Sequence, residues 1–451
     1  MPFVLYVLAL AVFAQGTSEF MLSGLVPDLA SGMGVSVSAA GSLTSAFAVG
    51  MVVGAPLMAV LSRRCDRRRA LLGFLCTFLL VHVVGAVTTS FAVLVAARVV
   101  GALANAGFLA VALTAAAGMV PPDAKGRATS VLLSGVTLAC VAGVPAGALL
   151  GQAWGWRSAF WAVALVSAPA VFALVRSLPG PDEVGPADVV RADAAGADGA
   201  GADGAGADGA GLGPVDPGRA GAGPAGAETT GVRRELRALR GPRLLVTLLL
   251  GALVNGATFC TFTYLAPLST EVAGFGDGWV PVLLALFGLG SFLGVTAAGR
   301  VADTRPLRLL AVGGSALLGG WVLFALTAGS PVAAVALVLV QGTLSFAVGS
   351  TLISQALYAA TEAPTLAGGF ATAALNVGAA LGPWAGGLAL DAGFGYRSPL
   401  WVSALLVALA LATGGTARAV AVWRAARRTR TGAAVTAGTA PSSGAPRTRR
   451  R

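Results

Sequence analysis

Twelve apolar runs, each about as long as a bilayer is thick, decide what this chain can fold into. At 1.5 Å of rise per residue, about 20 residues cross a hydrocarbon core of ~30 Å. Runs of that kind fall at 3–26, 39–61, 70–88, 91–119, 128–151 and 157–177, and again at 243–267, 279–299, 307–328, 331–359, 365–390 and 398–417. Lipid offers no partner to a backbone N–H or C=O, so a run of this length satisfies its own backbone by folding as a helix. The composition agrees: 56% of the 451 residues are hydrophobic and 11% are charged, against about 25% charge in a soluble domain. The expected fold class is therefore an all-α integral membrane protein of twelve transmembrane helices.

The basic residues orient the runs. An N-terminus in the cytoplasm places the loops 62–69, 120–127 and 300–308, the central break and the C-terminal tail on the same side. Those segments, counting Arg176 and Arg243 with the central break they flank, hold 27 of the 30 Lys and Arg residues; the other three are Arg98, Arg157 and Arg397. The opposite loops around 27–38, 88–91, 268–279 and 328–331 carry none. Positive charge concentrates on the cytoplasmic side of membrane proteins, so both termini are expected there, in a multi-pass protein of the cell membrane. The net charge of +11 is thereby a matter of topology, and nucleic acid is not an expected partner. The N-terminal apolar stretch lacks a basic leader and continues past Glu19, which makes it an uncleaved first helix rather than a signal peptide.

Between the two groups of six runs lies residues 178–242, with an Ala-Asp-Gly-Ala-Gly repeat that sets Asp193, Asp198, Asp203 and Asp208 five apart. Regular acids invite a calcium-repeat reading, but the stretch is too poor in apolar groups to fold and is read as a disordered cytoplasmic linker. Residues 418–451 are read as a basic, disordered cytoplasmic tail suited to anionic lipid. Halves at 1–177 and 243–417 remain, and a shift of 240 residues aligns them. Gly16 meets Gly256, Pro27 meets Pro267, Gly50 meets Gly290, Gly54 meets Gly294, and Gly155–Trp161 (GWRSAFW) meets Gly395–Trp401 (GYRSPLW). Two parallel, pseudo-symmetric six-helix halves imply a site between them near mid-membrane and access that alternates by rocking.

The stretches 16–30 (GTSEFMLSGLVPDLA), 43–56, 97–117 and 132–151, with 154–163 (WGWRSAFWAV), resemble the drug:proton antiporters of the major facilitator superfamily. Within that family they are similar to actinobacterial chloramphenicol exporters. The resemblance implies proton-coupled efflux of a small drug, chloramphenicol first, with antibiotic resistance as the outcome. Export of a sugar, nucleoside or biosynthetic metabolite by the same antiport stands as the alternative. It further implies a monomer in the bilayer, with a drug and protons as partners and no cofactor. The family's gating loop is matched only in part. LSRRCDRRR has Arg63 where an acid is expected, while GRVADTRPLR keeps Asp303. The gating residues implied are Gly54, Arg67, Gly294, Asp303 and Arg308. The antiporter-helix pattern appears as Gly135, Gly143, Pro145 and Gly147, small residues for close packing and a proline for a kink; ordinary packing glycines are the competing reading.

Two charges lie well inside apolar runs, Glu19 in the first and Arg98 in the fourth. Each is costly at membrane depth and calls for a function or a partner. Each stands seven residues from the same end of its run, roughly 10 Å below that surface. Glu19 is the candidate proton carrier and Arg98 the group that tunes or holds it; a fixed ion pair between two helices is the alternative. His82, the single histidine, is either a second proton site or an interior side chain with a local partner. By the resemblance, the first, fourth, seventh and tenth helices line the cavity. That nominates Gln15, Asn105, Asn255, Thr258, Tyr264, Gln341 and Ser345 to orient a neutral drug among apolar walls. Trp154, Trp156, Trp279 and Trp401 are expected as interfacial anchors.

No phosphate-binding GxxxxGK[ST] loop, HExxH, GxSxG or paired-cysteine pattern occurs, so neither nucleotide hydrolysis, a metal site nor covalent catalysis is expected.

Overall fold

The computed structural model describes residues 2–62, 66–121, 125–177, 239, 241–301, 306–360 and 367–438. Helices account for nearly all of them, and no strand occurs among the described residues. The first half contains α1 (Phe3–Phe20), α2 (Val26–Met33), α3 (Val37–Ser62), α4 (Arg67–Val87), α5 (Phe91–Gly118), α6 (Lys125–Leu138), α7 (Val144–Trp154) and α8 (Arg157–Ser177). The second contains α9 (Pro242–Thr263), α10 (Leu265–Glu271), α11 (Val280–Val301), α12 (Pro306–Thr327), α13 (Pro331–Ala359), α14 (Ala367–Asp391) and α15 (Ser398–Gly438). Among the described residues, twelve segments are long and apolar enough to cross a membrane, from Phe3–Gly24 to Ser398–Trp423, and they coincide with the twelve expected runs.

Three runs are broken rather than continuous. α1 gives way to a 3-10 turn at Met21–Gly24 before α2 resumes, and α9 stops at Thr263 before α10. Pro27 and Pro267 explain both breaks. Neither has an N–H to give the carbonyl four residues back, and each ring crowds the preceding turn. The fifth run is split by a π-turn at Ala139–Gly143 between α6 and α7, with Pro145 immediately beyond it. The kink expected of that helix is thus a wide turn. At the other end of the chain, α15 continues to Gly438, so the stretch from 418 begins as helix and not as the disordered tail expected. The linker 178–242 lies outside the described residues except for Leu239 and Gly241–Pro242, as does 439–451.

Glycines set the spacing of the helices. Gly54 of α3 lies against Leu103 and Ala106 of α5; its counterpart Gly294 of α11 lies against the carbonyl of Thr343 in α13. Gly256 of α9 faces Gly378 and Gly382 of α14 so closely that a Cβ on Gly378 would meet the carbonyl of Ala252. With no hydrophobic drive between helices in lipid, such close approach supplies the van der Waals contact that holds them.

One face of the bundle carries the start of α1 and the helix ends near 62, 121, 177, 301 and 360. The far face carries the connections near 35, 89, 155, 275, 329 and 394. Apolar packing on the near face stays within a half: Leu5, Leu71, Phe108 and Leu174 group in the first, Leu244, Ala356 and Ala371 in the second. Toward the far face it crosses between them. Val144 and Ala148 pack into the second half's core, and Ala48 joins Phe259, Ala379 and Ala380. Two hydrogen bonds finish the far-face seam: Ser38 Oγ donates to Asp391 Oδ1 and Gln152 Nε2 to the carbonyl of Asp277, both at 2.6 Å. The halves are clamped together at the far face.

Replacing Gly378 by Val should therefore destabilise the protein by roughly 1–3 kcal/mol through overpacking against an immovable backbone. Gly319→Val, at an exposed position with open space around it, should be neutral. Thermal melting of the two purified variants checks the contrast.

Candidate functional site

The seam between the halves brings together an aromatic group that the sequence reading did not nominate. Phe20, at the end of α1, has its ring 5.7 Å from Phe259 and 6.5 Å from Phe262 of α9. Phe262 stacks on Phe287 of α11 at 4.6 Å, and Phe287 meets Phe346 of α13 edge-on at 6.2 Å. These rings, with Cys140 of the π-turn, Thr258, Gly288 and Ser291, line a pocket of about 10 Å³. That is room for about one water. It lies where the π-turn meets α11: a Cβ on Gly288 would strike the carbonyl of Cys140.

Of the seven polar residues nominated for the cavity, Thr258 lines this pocket. Three others hold helices together. Asn255 Nδ2 donates to the carbonyl of Leu375 at 2.7 Å, tying α9 to α14. Tyr264 sends its hydroxyl to the carbonyl of Pro383 at 2.9 Å and lies under Gly41 and Gly387. Gln341 donates to the carbonyl of Leu317 at 3.1 Å and packs against Gly320. Asn105 is buried. Gln15 and Ser345 are buried with polar side-chain atoms that find no protein partner. Missing the aromatic pocket has a simple cause: phenylalanines on apolar runs look like lipid-facing or core residues until the halves are assembled.

Beside the pocket is the polar cluster of the first half. Glu19, directly before Phe20, is close enough to Arg98 and Cys140 to act on both electrostatically. The matching depth expected of Glu19 and Arg98 thus becomes proximity. Their relation differs from a tight ion pair, because the directed hydrogen bonds of Arg98 go elsewhere: Nη1 donates to Ser18 O at 3.0 Å and to Ser18 Oγ at 2.9 Å. The guanidinium lies over the Phe47 ring, 4.3 Å from its centre, a favourable face for a cation. His82 Nε2 lies 2.6 Å from Ser18 Oγ, and its Nδ1 lies 2.7 Å from the carbonyl of Phe78. The histidine is an interior group with local partners.

The glycines of the antiporter-helix pattern lie along α1. Gly135 faces the carbonyl of Ala9, Gly143 the hydroxyl of Thr17 and Gly147 the Cβ of Met21. The small residues thus let α6, the π-turn and α7 approach the helix that carries Glu19. Pro145 is buried in the first turn of α7. Of the gating residues, Gly54 and Gly294 occupy equivalent close approaches, Arg67 and Arg308 are exposed on the near face, and Asp303 lies outside the described residues. Trp154, Trp279 and Trp401 are exposed, as anchors should be. Trp156 is not: it is 4% exposed, packed edge-on to Phe160 and under Gly32, so it is a core residue. Among the described residues no group of His, Cys, Asp or Glu is arranged to hold a metal ion.

The family model of the Major Facilitator Superfamily matches residues 8–372. Among curated proteins, the chain is 54% identical over 414 residues to a chloramphenicol resistance protein of Streptomyces lividans, covering 91% of this chain and 95% of that one. It is 32% identical over 409 residues to the inner membrane transport protein YdhP of Escherichia coli (90% and 94% covered). It is 28% identical over 391 residues to a chloramphenicol efflux pump of Mycobacterium tuberculosis (85% of each). Among solved structures, a bacterial homologue of the human lysosomal transporter Spinster, crystallised in an inward-facing and unoccupied conformation, matches with a TM-score of 0.68 at 17% identity over 91% of this chain and 95% of that one. Twelve spans, two pseudo-symmetric halves and these likenesses over most of its length agree: the chain is a transporter of the major facilitator superfamily.

Proposed function

We propose that the protein exports chloramphenicol, or a neutral aromatic drug of similar size, in exchange for protons entering through Glu19. The observation that carries the coupling is the position of Glu19. It stands on the seam between the halves, one residue from the aromatic pocket, beside Arg98 but not committed to it. A carboxylate in such a place changes its proton affinity when rocking alters its wetting and its distance from a cation. The drug assignment is supported by the names of the relatives from Streptomyces and Mycobacterium and by a pocket walled with five phenylalanines.

In this reading the near face, where the basic residues gather, is cytoplasmic, and the far-face clamp holds the protein closed to the outside. The drug enters from the near face and settles among Phe20, Phe259, Phe262, Phe287 and Phe346. Protonation from outside and release inside alternate with the drug at the seam. A neutral drug leaving against one entering proton moves net charge, so membrane potential assists export.

Glu19→Gln should reduce chloramphenicol export in energised cells to the level of cells lacking the protein. Drug accumulation with and without an uncoupler, at matched expression, measures this, and undiminished active export by the variant would remove Glu19 from the mechanism. Phe262→Ala, which loses ring contacts to Phe20, Phe259 and Phe287, should raise KM for the drug roughly 3- to 10-fold, with the response to the pH gradient unchanged; initial rates in proteoliposomes separate the two quantities.

The far face contributes its own pH dependence. A cleft of about 550 Å³ there is lined by Asp28 of the first half and Glu271 and Asp277 of the second. The carboxyl of Asp28 is held above its ordinary value, first by lost hydration and second by the neighbouring Asp277 carboxylate. A raised value in the closed state means that closure is favoured fully below the ordinary carboxylate range and weakens as pH rises through the raised value. Spin-label distances across the far face should accordingly lengthen as pH rises through that window, and Asp28→Asn should flatten the response.

A further inference from the structure

Three side chains from three helices, Ser18 of α1, His82 of α4 and Arg98 of α5, are hydrogen-bonded to one another through Ser18, and the chemistry of each atom fixes its role. The carbonyl of Phe78 can only accept, so His82 Nδ1, 2.7 Å away, carries a hydrogen. Arg98 Nη1 can only donate, so Ser18 Oγ, 2.9 Å away, accepts from it. The serine's single hydrogen then goes to His82 Nε2 at 2.6 Å. The result is one directed chain, from Arg98 through Ser18 and His82 to the backbone of α4, with the imidazole neutral. A doubly protonated ring would set a second cation beside the guanidinium and leave the serine's hydrogen without this acceptor. Ser18, His82 and Arg98 are all at most 3% exposed, so bulk water does not compete for these bonds.

The chain holds the guanidinium in one orientation. Nη1 is fixed by two bonds to Ser18 and the face by Phe47. Nε and Nη2 are buried and find no protein partner. Those two N–H groups lie on the same edge of the guanidinium and point in parallel, the fork that grips both oxygens of a carboxylate.

We propose that Ser18 and His82 are positioning residues that hold Arg98 with its Nε/Nη2 fork uncommitted and available to a carboxylate, and that the carboxylate it receives during the transport cycle is Glu19. The proposal rests on the coupling reading above and assigns the lone histidine a task in it: a neutral acceptor that orients Arg98, and no carrier of protons itself.

Because His82 is the sole histidine, its ring can be observed without assignment. Tag-free protein labelled with 15N-histidine and reconstituted in lipid should show one neutral Nδ1–H ring at neutral pH, with an Nε2 signal shifted by hydrogen bonding that Ser18→Ala removes. A doubly protonated ring, or a spectrum indifferent to Ser18→Ala, overturns the assignment. In proteoliposomes with an imposed pH gradient and chloramphenicol as probe, Ser18→Ala and His82→Leu should lose roughly 10- to 100-fold of gradient-driven transport per folded molecule, the effect of one hydrogen bond to a charged group. Their downhill equilibration of the drug should persist. His82→Gln, whose amide both donates and accepts but carries no proton, should restore pumping. If His82→Gln is as inactive as His82→Leu, the ring itself carries protons and the proposal fails. Should His82→Leu not fold, Ser18→Ala alone decides. Glu19→Gln in the same assay separates the two ideas. A pumping Glu19→Gln beside a defective Ser18→Ala refutes Glu19 as the receiver and the coupling reading with it, and leaves the orienting chain standing. A defective Glu19→Gln beside a normal Ser18→Ala refutes the orienting chain alone.

Discussion

Everything in this molecule follows from burying backbone in a medium that cannot hydrogen-bond to it. That constraint makes the chain helical, and it also dictates where the helices break. Pro27, Pro145 and Pro267 each remove an N–H from the ladder, and the chain answers with a 3-10 turn, a π-turn and a restarted helix. All three breaks fall on the helices that border the seam between the halves. Irregular backbone at membrane depth is tolerable only where protein surrounds it, and the seam is such a place.

Glycine then sets how tightly the surviving helices approach. Gly54 and Gly294, or Gly256 with Gly378 and Gly382, bring backbones into contact that any side chain would forbid. The glycines facing α1 do the same for the helix that carries Glu19. A stiffly packed half can rock as a body, which is what alternating access asks of it.

The 240-residue repeat places different residue types at equivalent positions of the two halves. Glu19 corresponds to Phe259, Arg98 to Val338 and His82 to Val322, while Ser18 corresponds to Thr258 and Phe47 to Phe287. The polar cluster of the first half therefore faces an aromatic counterpart in the second, and Phe20 and Cys140 join the two. At this level the first half carries charged and polar side chains and the second carries aromatic rings. In the first half Phe47 lies beneath a guanidinium; in the second its counterpart stacks on another ring.

Helix number, the two halves and the isolation of Glu19 and Arg98 were legible in the sequence, because apolar run length, a fixed repeat and a charge among leucines are one-dimensional signals. The glycine pattern was legible too, though its partner, α1, was not. What only the tertiary structure decided was which polar groups are spent. Asn255, Tyr264 and Gln341 read as cavity residues, yet each bonds a carbonyl on a neighbouring helix, and Trp156 turned inward. Four of the five phenylalanines meet within the second half, and Phe20 joins them only where the two halves meet. Ser18 and His82, separated by 64 residues, became one chain with Arg98 only through packing. Sequence records which groups must be satisfied in an apolar medium; the fold alone chooses the partner that satisfies each.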